Sequence, residues 1–368
     1  MEEREYYLAF SLVSGVGPKT FLSLLKYFKT AKKAWIADSM ELKNAGFRDL
    51  TIKKIEEAKE TVNVSLYISQ FKHKNVSFIA FCDNEYPRLL KQIPNPPIVL
   101  FVKGEIKNIN FEKTIGIVGT RKITNYGREV TKLFSSGLSL SGFTIASGMA
   151  TGVDTVASLS AIEAGGKTIA VLGNGVDLCV PTTNESLYDK ILDGNGIIVS
   201  EYPLGQGPTL GSFPSRNRII AGLSLGVLVT EGAKDSGSLI TADYAFKFQR
   251  KVFAVPGPIT SSLSVAPLKL IEKGAHLVVS PDDILKEFKI QSPELIIRTR
   301  GKNASMPKPS GTKDERKILK LLENESLRFD EIVRKLQMDS SKAGSLLSLM
   351  EIKGLIKNTG EGTYRISD

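Results

Sequence analysis

A chain of 368 residues with 42% hydrophobic content and a mean hydropathy of −0.04 exceeds the size at which one core stops growing, so two or three domains are expected. No apolar run approaches the roughly 20 residues of a membrane span, and Met1-Glu-Glu-Arg-Glu-Tyr-Tyr has no apolar stretch of the secretory kind. A cytoplasmic protein without membrane contact is therefore expected. The net charge of +10 points toward nucleic acid, but dividing the chain after 75 and 290 leaves 13 basic against 9 acidic residues, 21 against 19, and 15 against 11; the nearly neutral middle section would need a local cluster of cations.

Residues 1–75 read as a helical domain, with apolar positions at helical spacing through Tyr7, Leu8, Phe10 and Leu12 and again through Phe21, Leu22, Leu24, Leu25 and Phe28. Between the two lies Val13-Ser-Gly15-Val-Gly17-Pro18-Lys-Thr, similar to the hairpin of SAM and helix-hairpin-helix modules, whose backbone N–H groups can hold a DNA phosphate; a plain turn between packed helices is the other reading. Cys82, Cys179, His73 and His276 are too few and too scattered for a zinc site or a disulfide framework, and the cysteines read as buried free thiols.

Residues 76–290 alternate short β-rich runs with helical stretches, the pattern of an α/β domain with a mostly parallel, Rossmann-like sheet. The strand candidates are Thr114–Val118, Phe143–Ala146, Thr168–Leu172, Gly196–Ser200, Gly226–Thr230, Lys251–Val255 and His276–Val279, with Ile98–Val102 as an edge strand. Nearly all are uninterrupted in apolar residues, as strands covered on both faces should be. Residues 291–312 read as a Pro-containing linker. Residues 313–368 then carry three helical patterns, 314–322, 329–336 and 340–353 with Asp339 as N-cap, and a hairpin around Gly360 and Gly362, which together suggest a winged helix.

Ligands of open parallel sheets bind beyond the carboxyl ends of the strands. Those ends read here as Gly119-Thr120-Arg121, Ser147-Gly148, Gly173-Asn174-Gly175, Glu201-Tyr-Pro, Glu231 followed by Lys234 and Ser236-Gly237-Ser238, and Pro256-Gly257. The stretch Phe213-Pro-Ser-Arg216-Asn217-Arg218 reads as the first turn of a helix, where about half a positive charge already resides and cations need an anion beside them. A phosphate site is expected. Arg121, Arg216 and Arg218, with Lys167 and Lys234, are its candidate cations, and Phe213 its stacking surface; five neutralised phosphates would give a single-strand salt slope of roughly −3.5. The plainer alternatives are pairing of the arginines with Glu201 or Glu231, a core role for Phe213, and Asp154 as a helix cap or a partner of Arg121.

Neither a P-loop nor a dinucleotide fingerprint survives its spacing test: the first glycine of the former falls at Ala161, and Gly173-Asn-Gly175 is followed at the third position by Leu178. No cofactor, metal or catalytic constellation is expected, and the chain reads as a binding protein rather than an enzyme.

Gly119-Thr-Arg121 with Tyr126-Gly127, Ser147-Gly148-x-Ala-x-Gly152-Val-Asp154, Gly173-x-Gly175-x-Asp177, Ser200-Glu201-x-Pro203-x-Gly205, Phe213-Pro-x-Arg216-Asn217-Arg218-Ile-Ile-Ala-Gly222 and Ser236-Gly-Ser238-Leu-Ile-Thr241 occur in the order of the bacterial DNA-processing protein A (DprA, or Smf) family, which the chain resembles over about 80–280. The resemblance implies a non-enzymatic, homodimeric protein. It would bind and protect incoming single-stranded DNA and load the RecA recombinase during natural transformation, with Arg121, Arg216 and Arg218 in its basic pocket. Two departures stand out: Ser158 where members have His, and Ala266-Pro267-Leu268 where they have G-x-N. Glu231-Gly-Ala-Lys-Asp-Ser-Gly-Ser-Leu-Ile-Thr241 is also similar to the P-G-G-x-G-T-x-x-E motif of nucleotide phosphoribohydrolases, the alternative reading, but lacks its terminal Glu.

Overall fold

The computed structural model describes residues 1–290, 313–322, 325–336, 338–352, 355–358 and 362–366. Apolar runs covered on both faces become the strands of a nine-stranded sheet: β1 (Val76–Ala80), β2 (Val99–Gly104), β3 (Thr114–Val118), β4 (Thr144–Ser147), β5 (Lys167–Val171), β6 (Gly196–Ser200), β7 (Gly226–Val229), β8 (Lys251–Ala254) and β9 (His276–Leu277). Its order is β1-β2-β6-β5-β4-β3-β7-β8-β9. The seven strands from β6 to β9 are parallel, whereas β2 runs antiparallel to β6 and β1 antiparallel to β2. The strand expected at the edge is thus second from it. The true edge, β1, escaped the sequence reading because its apolar run is short and interrupted, Ser77 being exposed and Phe78 half-buried.

Connections cross in both directions from β3: the chain steps outward through β4, β5 and β6, then returns to lay β7 against the other side of β3. The switch point is therefore between β3 and β7, and the crevice beyond their carboxyl ends is where this topology places a ligand.

Six helices precede the sheet: α1 (Glu3–Ser11), α2 (Pro18–Phe28), α3 (Ala31–Ile36), α4 (Ser39–Asn44), α5 (Asp49–Thr61) and α6 (Val64–Lys74). Pro18 occupies the first turn of α2, where its missing N–H costs nothing, and Gly15 in the preceding hairpin has φ +86°, a conformation that favours glycine. These helices do not close a core of their own. Tyr67 and Phe71 of α6 meet Phe101 of β2 edge-on at 6.3 and 6.1 Å, and Arg4 donates to Phe78 O at 3.0 Å and Asp83 Oδ2 at 2.9 Å. Residues 1–293 form one compact unit, so the boundary expected near 75 is a change of secondary structure within a continuous core.

One tie between helices and sheet carries a pH signature. Asp177 accepts hydrogen bonds from Lys74 Nζ at 2.5 Å and Gly205 N at 2.9 Å. Burial pushes its carboxyl up, but the ammonium and the amide outweigh that and hold it below the usual aspartate value. A depressed folded-state pKa contributes stability that is complete above the unfolded value, near 3.9, and is lost as pH falls through the folded one. Asp177→Asn is expected to lower the denaturation midpoint at neutral pH, with the gap to the parent protein closing in strong acid; a gap independent of pH would exclude this ion pair as its cause.

The second unit has its own core around Ile318, Leu322, Leu327, Ile332, Leu347, Met350 and Ile356. It consists of helices Lys313–Leu322, Phe329–Leu336 and Ser340–Ile352 with a three-stranded sheet, β10 (Leu327–Arg328), β11 (Ile356–Asn358) and β12 (Thr363–Ile366), ordered β10-β12-β11. Asp339 caps its last helix, accepting from Lys342 N at 3.1 Å. This is a winged helix, with β10 as the strand the sequence reading overlooked. The expected linker 291–312 and the turn at Gly360 lie outside the described residues.

Candidate nucleic-acid interface

Helix α7 (Arg88–Lys91) lies between β1 and β2 and α10 (Glu185–Lys190) between β5 and β6, while the carboxyl ends of β3, β4, β5 and β7 meet helices α8 (Asn125–Leu140), α9 (Val153–Glu163), α11 (Ser212–Leu223) and α12 (Gly237–Lys247). The loop after β3 is fixed from both sides, Thr120 N donating to Glu231 O at 2.8 Å and Val153 N to Thr120 O at 3.1 Å. A Cβ on Gly119 would sit 2.7 Å from Glu231 O and 2.5 Å from Val153, so the chain passes there only without a side chain. This clamp presents Arg121 outward. Its guanidinium carbon lies 5.7 Å from the centroid of the Phe213 ring, Arg121 being exposed and Phe213 half-buried. Phe213 in turn rests on the backbone of Gly173, where a Cβ would come within 3.1 Å of the ring.

Arg216 behaves otherwise. Helix α11 begins at Ser212 after Gly211, which puts Arg216 and Arg218 in its second turn and removes the argument from cations at a helix start. Arg216 is buried, 5% exposed, and donates from Nη1 to Gly148 O at 2.7 Å and to Val171 O. A Cβ on Gly148 would lie 2.4 Å from its Nη2 and 2.6 Å from Asp154 Oδ2, so guanidinium and carboxylate fill the space that glycine leaves. Burial pulls the Arg216 guanidinium down to about 10, Asp154 opposing and the nearby Arg121 adding to the fall; burial likewise raises the Asp154 carboxyl, with Arg216 opposing. Asp154 thus answers Arg216 rather than Arg121.

Arg218 is also turned inward, paired with both oxygens of Glu201 at 2.8 and 2.6 Å. The two arginines expected to face phosphate are held by carbonyls and carboxylates instead. Lys167 is displaced for a simpler reason: it opens β5, at the end of the sheet away from the rim, and its Nζ donates to Gly194 O at 2.6 Å. Glu231 accepts from Thr124 N at 3.0 Å and Thr124 Oγ1 at 2.6 Å, tying down the residue that caps α8.

The rest of the expected rim does converge. Asn217 Nδ2 donates to Gly237 O at 3.3 Å, joining α11 to the start of α12, where Ser236 caps the helix and shares a 2.8 Å hydrogen bond with Ser238. Ser147 is buried, donating to Ile117 O at 2.8 Å. The exposed cations are Arg121, Lys234 and Lys122, the last passed over in the sequence although it adjoins Arg121. Among the described residues none of the three is held in an ion pair. Asn174 was also passed over as a partner; fully buried, it donates to Gly175 O and Leu178 O at 3.0 and 2.8 Å while its Oδ1 meets no donor. Cys82 and Cys179 are free thiols, but neither is buried as expected, Cys82 being exposed and Cys179 half-buried. Among the described residues no cluster of side chains could hold a metal and no helix is long and apolar enough to cross a membrane.

The family model for DNA recombination-mediator protein A matches residues 77–289, and that for the DprA winged helix domain matches residues 302–362. The chain belongs to the DNA recombination-mediator protein A family. Protein Smf of Synechocystis is 37% identical over 96% of this chain and 96% of its own, and the DNA processing protein DprA of Bacillus subtilis is 36% identical over 70% and 89%. Among solved structures, DprA of Streptococcus pneumoniae is similar with a TM-score of 0.69 at 33% identity, covering 78% of this chain and 99% of that one. DprA of Helicobacter pylori, whose structure is described as showing a single-stranded DNA binding mode, has a TM-score of 0.52 at 30% identity over 58% and 95%.

Within this DprA fold the two departures fall in structured places. Ser158 is buried between α9 and β5, accepting from Thr168 Oγ1 at 3.3 Å. Ala266 lies in the first turn of α13 (Val265–Glu272) and donates from its N to Gly232 O at 2.9 Å, so this segment braces the loop after β7.

Proposed function

We propose that this protein binds single-stranded DNA along the rim formed by Arg121, Phe213, Asn217 and Ser236–Ser238, protects it, and passes it to the RecA recombinase during transformation, acting as a homodimer and without catalysis. The observation that carries the reading is Arg121 stacked over Phe213 beside the switch point between β3 and β7. A cation and an aromatic face in register suit a phosphate and its neighbouring base, and stacking of this kind tolerates any sequence. Gly119, Thr120, Ser147 and Gly148 shape that rim from beneath. Arg216 and Arg218 act as its internal frame.

Support also comes from the family, which is that of a DNA recombination mediator, and from the Helicobacter pylori relative described as binding single-stranded DNA. With Arg216, Arg218 and Lys167 engaged elsewhere, the exposed cations are Arg121, Lys122 and Lys234, and three neutralised phosphates give a salt slope of about −2 rather than the −3.5 that five would give. Fluorescence anisotropy of labelled oligo-dT across a salt series measures it. A slope near zero would remove the rim from consideration.

A further inference from the structure

A cleft of about 860 Å³ opens beside the rim, between the α1–α2 hairpin and the loop that follows β6, within the size range of small-molecule sites. Its hairpin wall includes Gly15, Gly17 and Lys19, and its opposite wall includes Tyr202, Ser215 and Arg218. The floor is electrically balanced, because Arg218 is engaged by Glu201 through both oxygens. The hairpin wall is not. Lys19 lines the cleft, is exposed and is held in no ion pair among the described residues, while Lys54, outside the lining, lies behind it with Nζ against Gly15, 2.8 Å from where a Cβ would be.

We propose that this cleft takes a further nucleotide of the same single strand, its base against Tyr202 and the Arg218–Glu201 pair, its phosphate against Lys19. The division of chemistry sets the orientation: Glu201 would repel a phosphate on the floor, while a neutral pair of hydrogen-bonding groups beside a tyrosine ring suits a base edge and face. The path from the rim is short. Phe213 and Ser215 are two residues apart on α11, which places them on opposite sides of a helix about 10 Å across, and Ser215 and the intervening Pro214 are exposed. A strand leaving Phe213 reaches the cleft by crossing that single turn.

The inference rests on the rim reading, and strand length separates the two. With full-length protein, oligo-dT of about 5 nucleotides engages the rim alone and oligo-dT of about 20 engages both. Lys19→Glu is expected to weaken the long oligonucleotide about fivefold or more and leave the short one unchanged, a loss comparable to one stacked base. A long oligo-dT carrying 5-iodouracil is expected to crosslink at Tyr202 itself, as read by fragment sequencing of the adduct. Equal affinities of Lys19→Glu and parent protein for the long strand, an equal loss at both lengths, or crosslinks confined to Phe213 would each overturn the proposal. Failure of the rim itself reads differently: Arg121→Glu would then leave both lengths unaffected.

Discussion

Arg216→Ala is expected to destabilise the 1–293 unit by about 2–4 kcal/mol, because two buried carbonyls lose their donor and a buried carboxyl loses a nearby cation, while Arg121→Ala shifts stability by less than about 0.5 kcal/mol as an exposed substitution. The difference follows from what each side chain leaves behind. Without the guanidinium, the Asp154 carboxylate loses its opposing charge inside the fold and the carbonyls of Gly148 and Val171 lose a donor. Removing Asp154 as well relieves the stranded charge, so Arg216→Ala with Asp154→Ala should cost less than the sum of the single substitutions. Urea denaturation followed by circular dichroism provides the measurement. An Arg216→Ala protein with the midpoint of its parent would mean that this arginine frames nothing.

Phe213→Ala is expected to weaken oligo-dT binding by about 1–3 kcal/mol, or roughly 5- to 150-fold, because a stacking face for one base is lost. Arg121→Ala removes both a phosphate contact and the group that rests on that face, so its effect should overlap with that of Phe213→Ala rather than add to it. It should also make the salt slope shallower by about 0.7, one single-strand phosphate's worth. Anisotropy titrations at several salt concentrations distinguish these outcomes. Losses that add in full, with the slope unchanged, would mean that the two residues do not share a ligand.

The parallel strands were legible because their residues are apolar on both faces, and β3 and β6 occupy the residues expected of them. What escaped was pairing across the sheet: β2 reads like an edge strand, since nothing near it in the sequence announces that Val76–Ala80 will cover its free side. The rim loops were legible for a related reason, being short Gly- and Ser-rich segments at strand ends. The fate of the arginines was not. Proline at 214 invites a helix start at that point, but the helix begins at Ser212, and two residues are enough to turn the second-turn side chains into the protein. Burial of a charge depends on a partner distant in sequence, and Asp154 lies 62 positions before Arg216.

Because one guanidinium engages the peptide groups that end β4 and β5 while riding on α11, three elements of the rim are pinned to a common point. Its shape is settled as the chain folds, before any ligand arrives, and little ordering is left to oppose association. The exposed stretch from Gly205 to Gly211 borders that rim and is itself moored, Gly205 N donating to Asp177 Oδ1 and Gly175 N to Gln206 O.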